Sequence, residues 1–221
     1  MRLTVRNTHK YLSFFISLQL LLWTISGIYF AFNKIENVRG EQYRIKSLSN
    51  YSLKKVDFDI PDATSVDIKK RLDETIIVAS TKMGMQYFDE QGSPLQKISD
   101  IEAKQIVKNN TLLKPIAVKE INLPKKGSEY RGRQLPIYNV TTRNANDKEI
   151  NVYLNVFSGE IVAIRSAQWR IWDLMWGFHI MDWQERDNID NLLLKIFSIL
   201  ALISSISGIL LFFKIDLRKK T

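Results

Sequence analysis

The sequence predicts an α+β membrane protein in which two transmembrane helices flank an extracytoplasmic domain of helix plus antiparallel sheet. Three features carry that prediction. Residues 11–32 and 196–213 are uncharged and strongly apolar. The residues between them alternate apolar and polar in short segments, as a sheet with one buried face does. Both outer ends are basic, as expected of tails that stay on the cytoplasmic side.

Residues 1–10 hold Arg2, Arg6 and Lys10 with no acid, and read as a cytoplasmic tail. The run 11–32 follows. At ~1.5 Å per residue its 22 residues reach roughly 33 Å, enough for a hydrocarbon core of ~30 Å. A cleaved signal peptide is the competing reading. However, the run exceeds the usual apolar core of ~7–15 residues, and no small-residue cleavage pattern follows Ala31. The second span, 191–213, carries Lys195 near its start, where a lysine can snorkel to the headgroups. Residues 214–221 add Lys214, Arg218, Lys219 and Lys220 against Asp216. The charge bias puts both termini in the cytoplasm and residues 33–190 across the membrane.

The formal net charge of +9 does not indicate a nucleic-acid domain. Residues 33–190 carry 24 Lys and Arg against 22 Asp and Glu, so the excess sits mostly on the tails. The absence of cysteine excludes disulfides, thiolate metal sites and thiol catalysis by this chain. Two histidines leave little for a histidine-built metal centre. Residues 33–165 contain no histidine, no phosphate-binding glycine loop and no metal-ligand spacing. Asp57, Asp59 and Asp62 lack the glycine and closing glutamate of a calcium loop. No catalytic residue and no metal ligand is assigned.

Within 33–165, residues 33–60 read as a polar lead-in with candidate short strands. Residues 64–72 read as a short helix, and 75–79 and 85–88 as strands before a turn at Gly92. Ser99 and Glu102 form a capping box opening a helix that stops at Asn109 and Asn110. Strand signal returns over 116–121, 135–142, 149–157 and 160–165, the last two joined by a turn at Ser158 and Gly159. The order of helix, strands and Gly-turned hairpin therefore occurs twice, over about 64–98 and 99–165. Pro124, Gly127 and Gly132 mark 123–132 as the expected mobile loop.

The segment 166–190 places Trp169, Trp172, Trp176, His179 and Trp183 at alternating +3 and +4 steps, one face of a helix. It reads as an amphipathic helix on the outer leaflet, or as a wall that docks a partner. Small residues give the spans packing faces: Ser13, Ser17, Thr24 and Gly27 with Leu20 on the first, and Ala201, Ser204, Ser205 and Gly208 on the second. The expected partners are the lipid bilayer and other membrane subunits or a homodimer mate, and no nucleic acid.

Several of these motifs together resemble a known family. His9-Lys10-Tyr11-Leu12-Ser13 followed by Trp23-Thr24-Ile25-Ser26-Gly27 is similar to the first helix of PepSY-associated transmembrane proteins, with Ser13 where that family has glycine. Phe178-His179-Ile180-Met181-Asp182 and the helix with Ser207-Gly208 resemble its later elements, although no glycine follows His179. The hairpins at Gly92 and Gly159 look like PepSY repeats. The resemblance covers nearly the whole chain. It implies a bacterial inner-membrane protein with a periplasmic PepSY-like domain, acting as a non-catalytic accessory subunit that binds or positions a membrane or periplasmic partner. Larger members are similar to siderophore or ferric reductases whose histidines ligate haem b. On that alternative His9 and His179 are the candidate haem ligands of an electron-transfer component. They lie at opposite ends of the membrane, so each requires a second ligand from another chain or holds a five-coordinate haem. Modulation of an extracytoplasmic peptidase is a third implied role.

Overall fold

The computed structural model describes residues 2–45 and 58–213. The chain divides into two compact units, Met1–Lys34 with Ile171–Thr221, and Ile35–Arg170. The candidate strands expected within 46–57, the carboxylate of Asp57 and the tail 214–221 lie outside the described residues. In chain order come α1 (Arg2–Phe32), α2 (Ile35–Val38) and a 3-10 turn (Glu41–Tyr43), then β1 (Ala63–Arg71), β2 (Glu74–Thr81) and β3 (Gly84–Phe88). They are followed by α3 (Asp100–Asn110), β4 (Lys114–Ile121), β5 (Ile137–Arg143), β6 (Glu149–Asn155), β7 (Ile161–Arg165), α4 (Ala167–His179) and α5 (Leu192–Phe212). The architecture is α+β: two long apolar helices at the termini flank a domain of two sheets.

In the first unit α1 and α5 pack antiparallel. Ser13 meets Ser204, whereas Phe15, further along α1, stacks on the earlier Phe197 at 5.7 Å. Ile16 is fully buried in this packing. At ~1.5 Å per residue α1 reaches about 46 Å and α5 about 31 Å, so both are long and apolar enough to cross a bilayer. Asn191 starts α5 by accepting from the Leu194 amide at 2.8 Å, while its own amide group donates to the Ile180 and Asn188 carbonyls. The segment joining α4 to α5 is held from inside. Asp182 accepts the amides of Glu185, Asp187 and Asn188 at 3.0–3.1 Å. Arg186 reaches back to the buried carboxylate of Asp173 at 2.7 Å.

The second unit holds two antiparallel meanders, β1-β2-β3 and β4-β5-β6-β7. In the four-stranded sheet Val140 faces Val152 and Val152 faces Ile164, giving one apolar row across three strands. Helix α3 covers that face with Ala103, Ile106 and Val107. The Ser99–Glu102 capping box is present in full, each residue bonding the other's amide. The opposite face buries Ile137, Tyr153 and Ala163 under Tyr130 and Leu135. The loop around 123–132 is fastened there by Glu129, which accepts from Asn151 (2.9 Å) and Tyr153 (3.1 Å) and pairs with Arg170. Burial, with Glu129 beside it, pushes the Tyr153 phenol well above its usual range.

Of residues 64–72, expected to be helical, all up to Arg71 lie in strand β1 instead. Their apolar residues, Val66, Ile68 and Leu72, are spaced by two and by four, so the spacing suits either period. Pairing with β2 over eight registered positions decides for the strand. Of the described strands, β2 is the only one β1 pairs with, leaving β1 at a sheet edge.

Candidate functional site

The candidate residues on the apolar helices fall into a polar seam and an outward face. On α1 the buried or half-buried positions His9, Ser13, Ile16, Gln19, Trp23 and Ser26 follow one another at +3 or +4 steps. His9 Nδ1 lies 2.9 Å from Ser207 Oγ and 3.1 Å from the Ser204 carbonyl. The Ser207 hydroxyl donates to that same carbonyl at 2.8 Å, which leaves its oxygen to accept from His9 Nδ1–H. Ser13 Oγ and Ser204 Oγ are 2.7 Å apart. Gly208 makes room for the imidazole: a Cβ there would stand 3.1 Å from His9 Cε1. Three of the small residues noted in the sequence, Ser13, Ser204 and Gly208, therefore seat His9 within this chain.

The remaining small residues lie elsewhere. Ser17 and Thr24 are exposed, and each returns its hydroxyl to its own helix, at Phe14 O (2.7 Å) and Leu20 O (2.9 Å). Ser205 does the same at Ala201 O. Gly27 is half-buried with open space where a Cβ would be, and Ala201 is half-buried. Sequence reasoning missed Gln19 and Ser26, which are 5 % and 0 % exposed and belong to the packed face. Their polarity inside an apolar run was the available signal.

The tryptophan stripe divides between the two units. Trp172, Trp176 and His179 stack along α4 with centroids 5.5 and 6.3 Å apart and near-parallel rings. Phe30 of α1 stands against all three at 5.2–6.2 Å. Backbone carbonyls at the end of α4 are claimed by α1 side chains: Trp23 donates to His179 O at 2.6 Å and Gln19 to Phe178 O at 3.1 Å. Ser26 Oγ lies 2.7 Å from His179 Nδ1. This aromatic face is therefore packed against α1 of the same chain. Trp169 sits in the other unit, buried beneath the Arg165 guanidinium at 4.3 Å and flanked by Arg131 at 5.6 Å. Trp183 lies beyond the end of α4 and is 54 % exposed.

His9 sits beside Ser204 to Gly208, and His179 beside Ser26. Seventeen residues of α1 separate His9 from Ser26, about 26 Å of helix. The two imidazoles cannot share one iron. His179 is moreover covered by Trp176 and Phe30, so this chain alone does not form a bis-histidine haem site. Among the described residues no group of three or more His, Asp or Glu side chains is arranged to hold a metal ion. Set against known protein families, curated proteins and solved structures, the chain matches none of them.

Proposed function

We propose that the chain is a two-span protein of the bacterial inner membrane, with both termini cytoplasmic and its α+β domain, of PepSY type, in the periplasm. In this reading it acts as a non-catalytic accessory subunit. The observation that carries the membrane reading is the disposal of polar groups on α1 and α5. Most hydroxyls either enter the seam around His9 or fold back onto their own helix, as at Ser17, Thr24 and Ser205, with Thr8, Tyr11 and Ser198 as the exposed exceptions. The remaining exterior exposes Phe14, Leu18, Ile25, Ile199, Leu202 and Phe212. A helix pair in hydrocarbon needs this arrangement, because lipid supplies no hydrogen-bond partner. The small outward residues Ser17 and Thr24 then offer a close-packing track for another membrane helix, from a second subunit or a homodimer mate.

Reporter fusions and cross-linking test this. Fusions near Gly92 are expected to report the periplasmic side, and the chain is expected to stay in the membrane through a carbonate wash. Cross-linking from Ser17 and Thr24 in native membranes is expected to trap one defined neighbour, lost in a Ser17→Leu/Thr24→Leu variant. A cytoplasmic fusion signal, or a chain that is monomeric in mild detergent and indifferent to that variant, would remove the reading.

A second reading, an electron-transfer component using haem, is favoured by one observation. Nδ1 of both histidines is engaged while Nε2 has no hydrogen bond among the described residues, the orientation a metal-ligating histidine adopts. At each site it requires a further ligand from another chain or a five-coordinate haem. A colourless protein purified from haem-replete cells would end it.

A further inference from the structure

The β1 edge borders a cleft of about 610 Å³ that lies wholly within the second unit. One wall is the end of β1 from Asp67 with Leu72 beyond it, and the floor and far wall include Ile106, Asn110, Gly159 and Arg44. The five strand residues 67–71 at ~3.3 Å each make a wall about 17 Å long. Gly159 keeps the floor low, since a Cβ there would lie 2.4 Å from Ile106 Cδ1. The cleft is braced by its own contacts: Lys69 pairs with Glu160 at 2.5 Å, and Arg71 donates to the Gln96 and Phe157 carbonyls at 3.0 and 3.2 Å. Arg44 holds the Ile161 carbonyl at 3.0 Å.

Two properties of this wall are unusual for a free strand. An open sheet edge offers a row of backbone donors and acceptors, which proteins commonly blunt by covering it or keeping it short. β1 is nine residues long, is an edge among the described strands, and leaves Val66 and Ile68 substantially exposed. The cleft's charge is also unequal, with Arg44, Lys69, Lys70 and Arg71 against Asp67 and Glu160. Arg44 and Arg71 give their closest bonds to neutral carbonyls and approach carboxylates only at 3.4–3.5 Å. Lys70 is exposed and forms no ion pair among the described residues.

We propose that this cleft binds an extended acidic peptide segment of a partner protein, which adds a strand to the edge of β1 that is unpaired among the described strands and sets its carboxylates against Lys70 and Arg44. Backbone pairing supplies the affinity. The alternate side chains that face the cleft supply the selection. The proposal concerns the second unit alone and stands whether or not the helices cross a membrane.

The test uses the full chain in mild detergent and a fluorescein-labelled peptide of four Glu-Val repeats, followed by fluorescence anisotropy. Saturable binding is expected, with weaker binding at higher salt. Lys70→Glu is expected to weaken it by roughly tenfold or more, the effect of losing one close charge pair and gaining a repulsion. Lys148→Glu, on the distant β5–β6 turn, controls for general charge and is expected to leave affinity unchanged. A peptide of the same sequence N-methylated at every amide is expected to bind poorly, because neither of its edges can donate to β1. Absence of binding by the wild-type chain overturns the proposal. Equal losses in the two lysine variants, or full binding by the N-methylated peptide, overturn it as well. Self-association through β1 that excludes the peptide would assign the edge to a second copy instead.

Discussion

The hydroxyls of Ser13 and Ser204 meet at 2.7 Å between α1 and α5, beside His9 and Ser207. Ser204 is buried, and its carbonyl also accepts from Ser207 and lies at His9 Nδ1, so the contact belongs to a connected seam. In a bilayer such bonds contribute modestly because the separated helices find other partners. A double-mutant cycle of Ser13→Ala and Ser204→Ala, read by unfolding in bicelles, is expected to give a coupling of about 0.5–1 kcal/mol. Additive effects of the two changes would show that the hydroxyls contribute independently. Gly208→Val is expected to cost more than either, because its branch would enter the space of the His9 ring.

Gly177 and Arg186 form a second coupled pair. A Cβ on Gly177 would lie 2.7 Å from Arg186 Cγ and 3.1 Å from the Asp182 carbonyl, on the path by which Arg186 reaches Asp173. Helix propensity alone would make Gly177→Ala stabilising by about 1 kcal/mol. The structure predicts the opposite sign, a loss of about 1–3 kcal/mol, because Asp173 is 1 % exposed and its ion pair is disturbed. In an Arg186→Ala background much of the added penalty is expected to disappear. Thermal unfolding of the four proteins in one detergent decides between these outcomes.

The elements that were legible in the sequence share a physical cause. Strands β5 to β7 are marked by their apolar residues, with Val140, Val152 and Ile164 turned to α3, and the Ser99–Glu102 pair announces a helix start by its own chemistry. The two apolar helices are declared by length and the absence of charge. β1 was not legible, since an edge strand with exposed side chains has no buried stripe to impose a period of two. The aromatic stripe suggested an amphipathic helix over 166–190, yet α4 ends at His179. Met181 takes a left-handed φ of 56° and Asp182 gathers the following amides, a termination with neither glycine nor proline to mark it. On α1 the spacing joined Ser13 to Ser17 and Thr24, whereas the packed face runs through Gln19 and Ser26. Small size alone does not reveal which side of a helix is covered.

Gly159, in the β6–β7 connection, packs closely against Ile106 of α3. Gly159 has a φ of 69°, and an added Cβ would fall 2.4 Å from Ile106 Cδ1. Gly159→Ala therefore meets both backbone strain and a clash, and is expected to cost about 2–4 kcal/mol. Ile106→Val removes the offending methyl and by itself is expected to cost about 0.5–1.5 kcal/mol. The double variant is expected to be more stable than the sum of the single losses predicts, by about 1 kcal/mol or more. Chemical denaturation provides the comparison. Strict additivity would mean that the strain at φ alone sets the cost.

Glu102 gives the domain a pH dependence of known sign. The Ser99 backbone amide, and next the Ser99 hydroxyl, hold its carboxyl below the usual carboxylate range. A depressed folded-state pKa contributes stability that is fully present above the unfolded value of about 4.3 and is lost as pH falls through the folded value. At neutral pH the capping box is therefore complete, and it opens only in acid. Carbon-13 titration of Glu102 is expected to show a midpoint below about 4.3, with the Ser99 amide shift following the same curve. Ser99→Ala removes the hydroxyl but keeps the backbone donor, so the midpoint should rise only part of the way toward that value. It should also loosen the first turn of α3, read as faster exchange of the Glu102 amide, which Ser99 Oγ now accepts. A midpoint unchanged by Ser99→Ala would mean that the backbone amide alone orders this carboxylate.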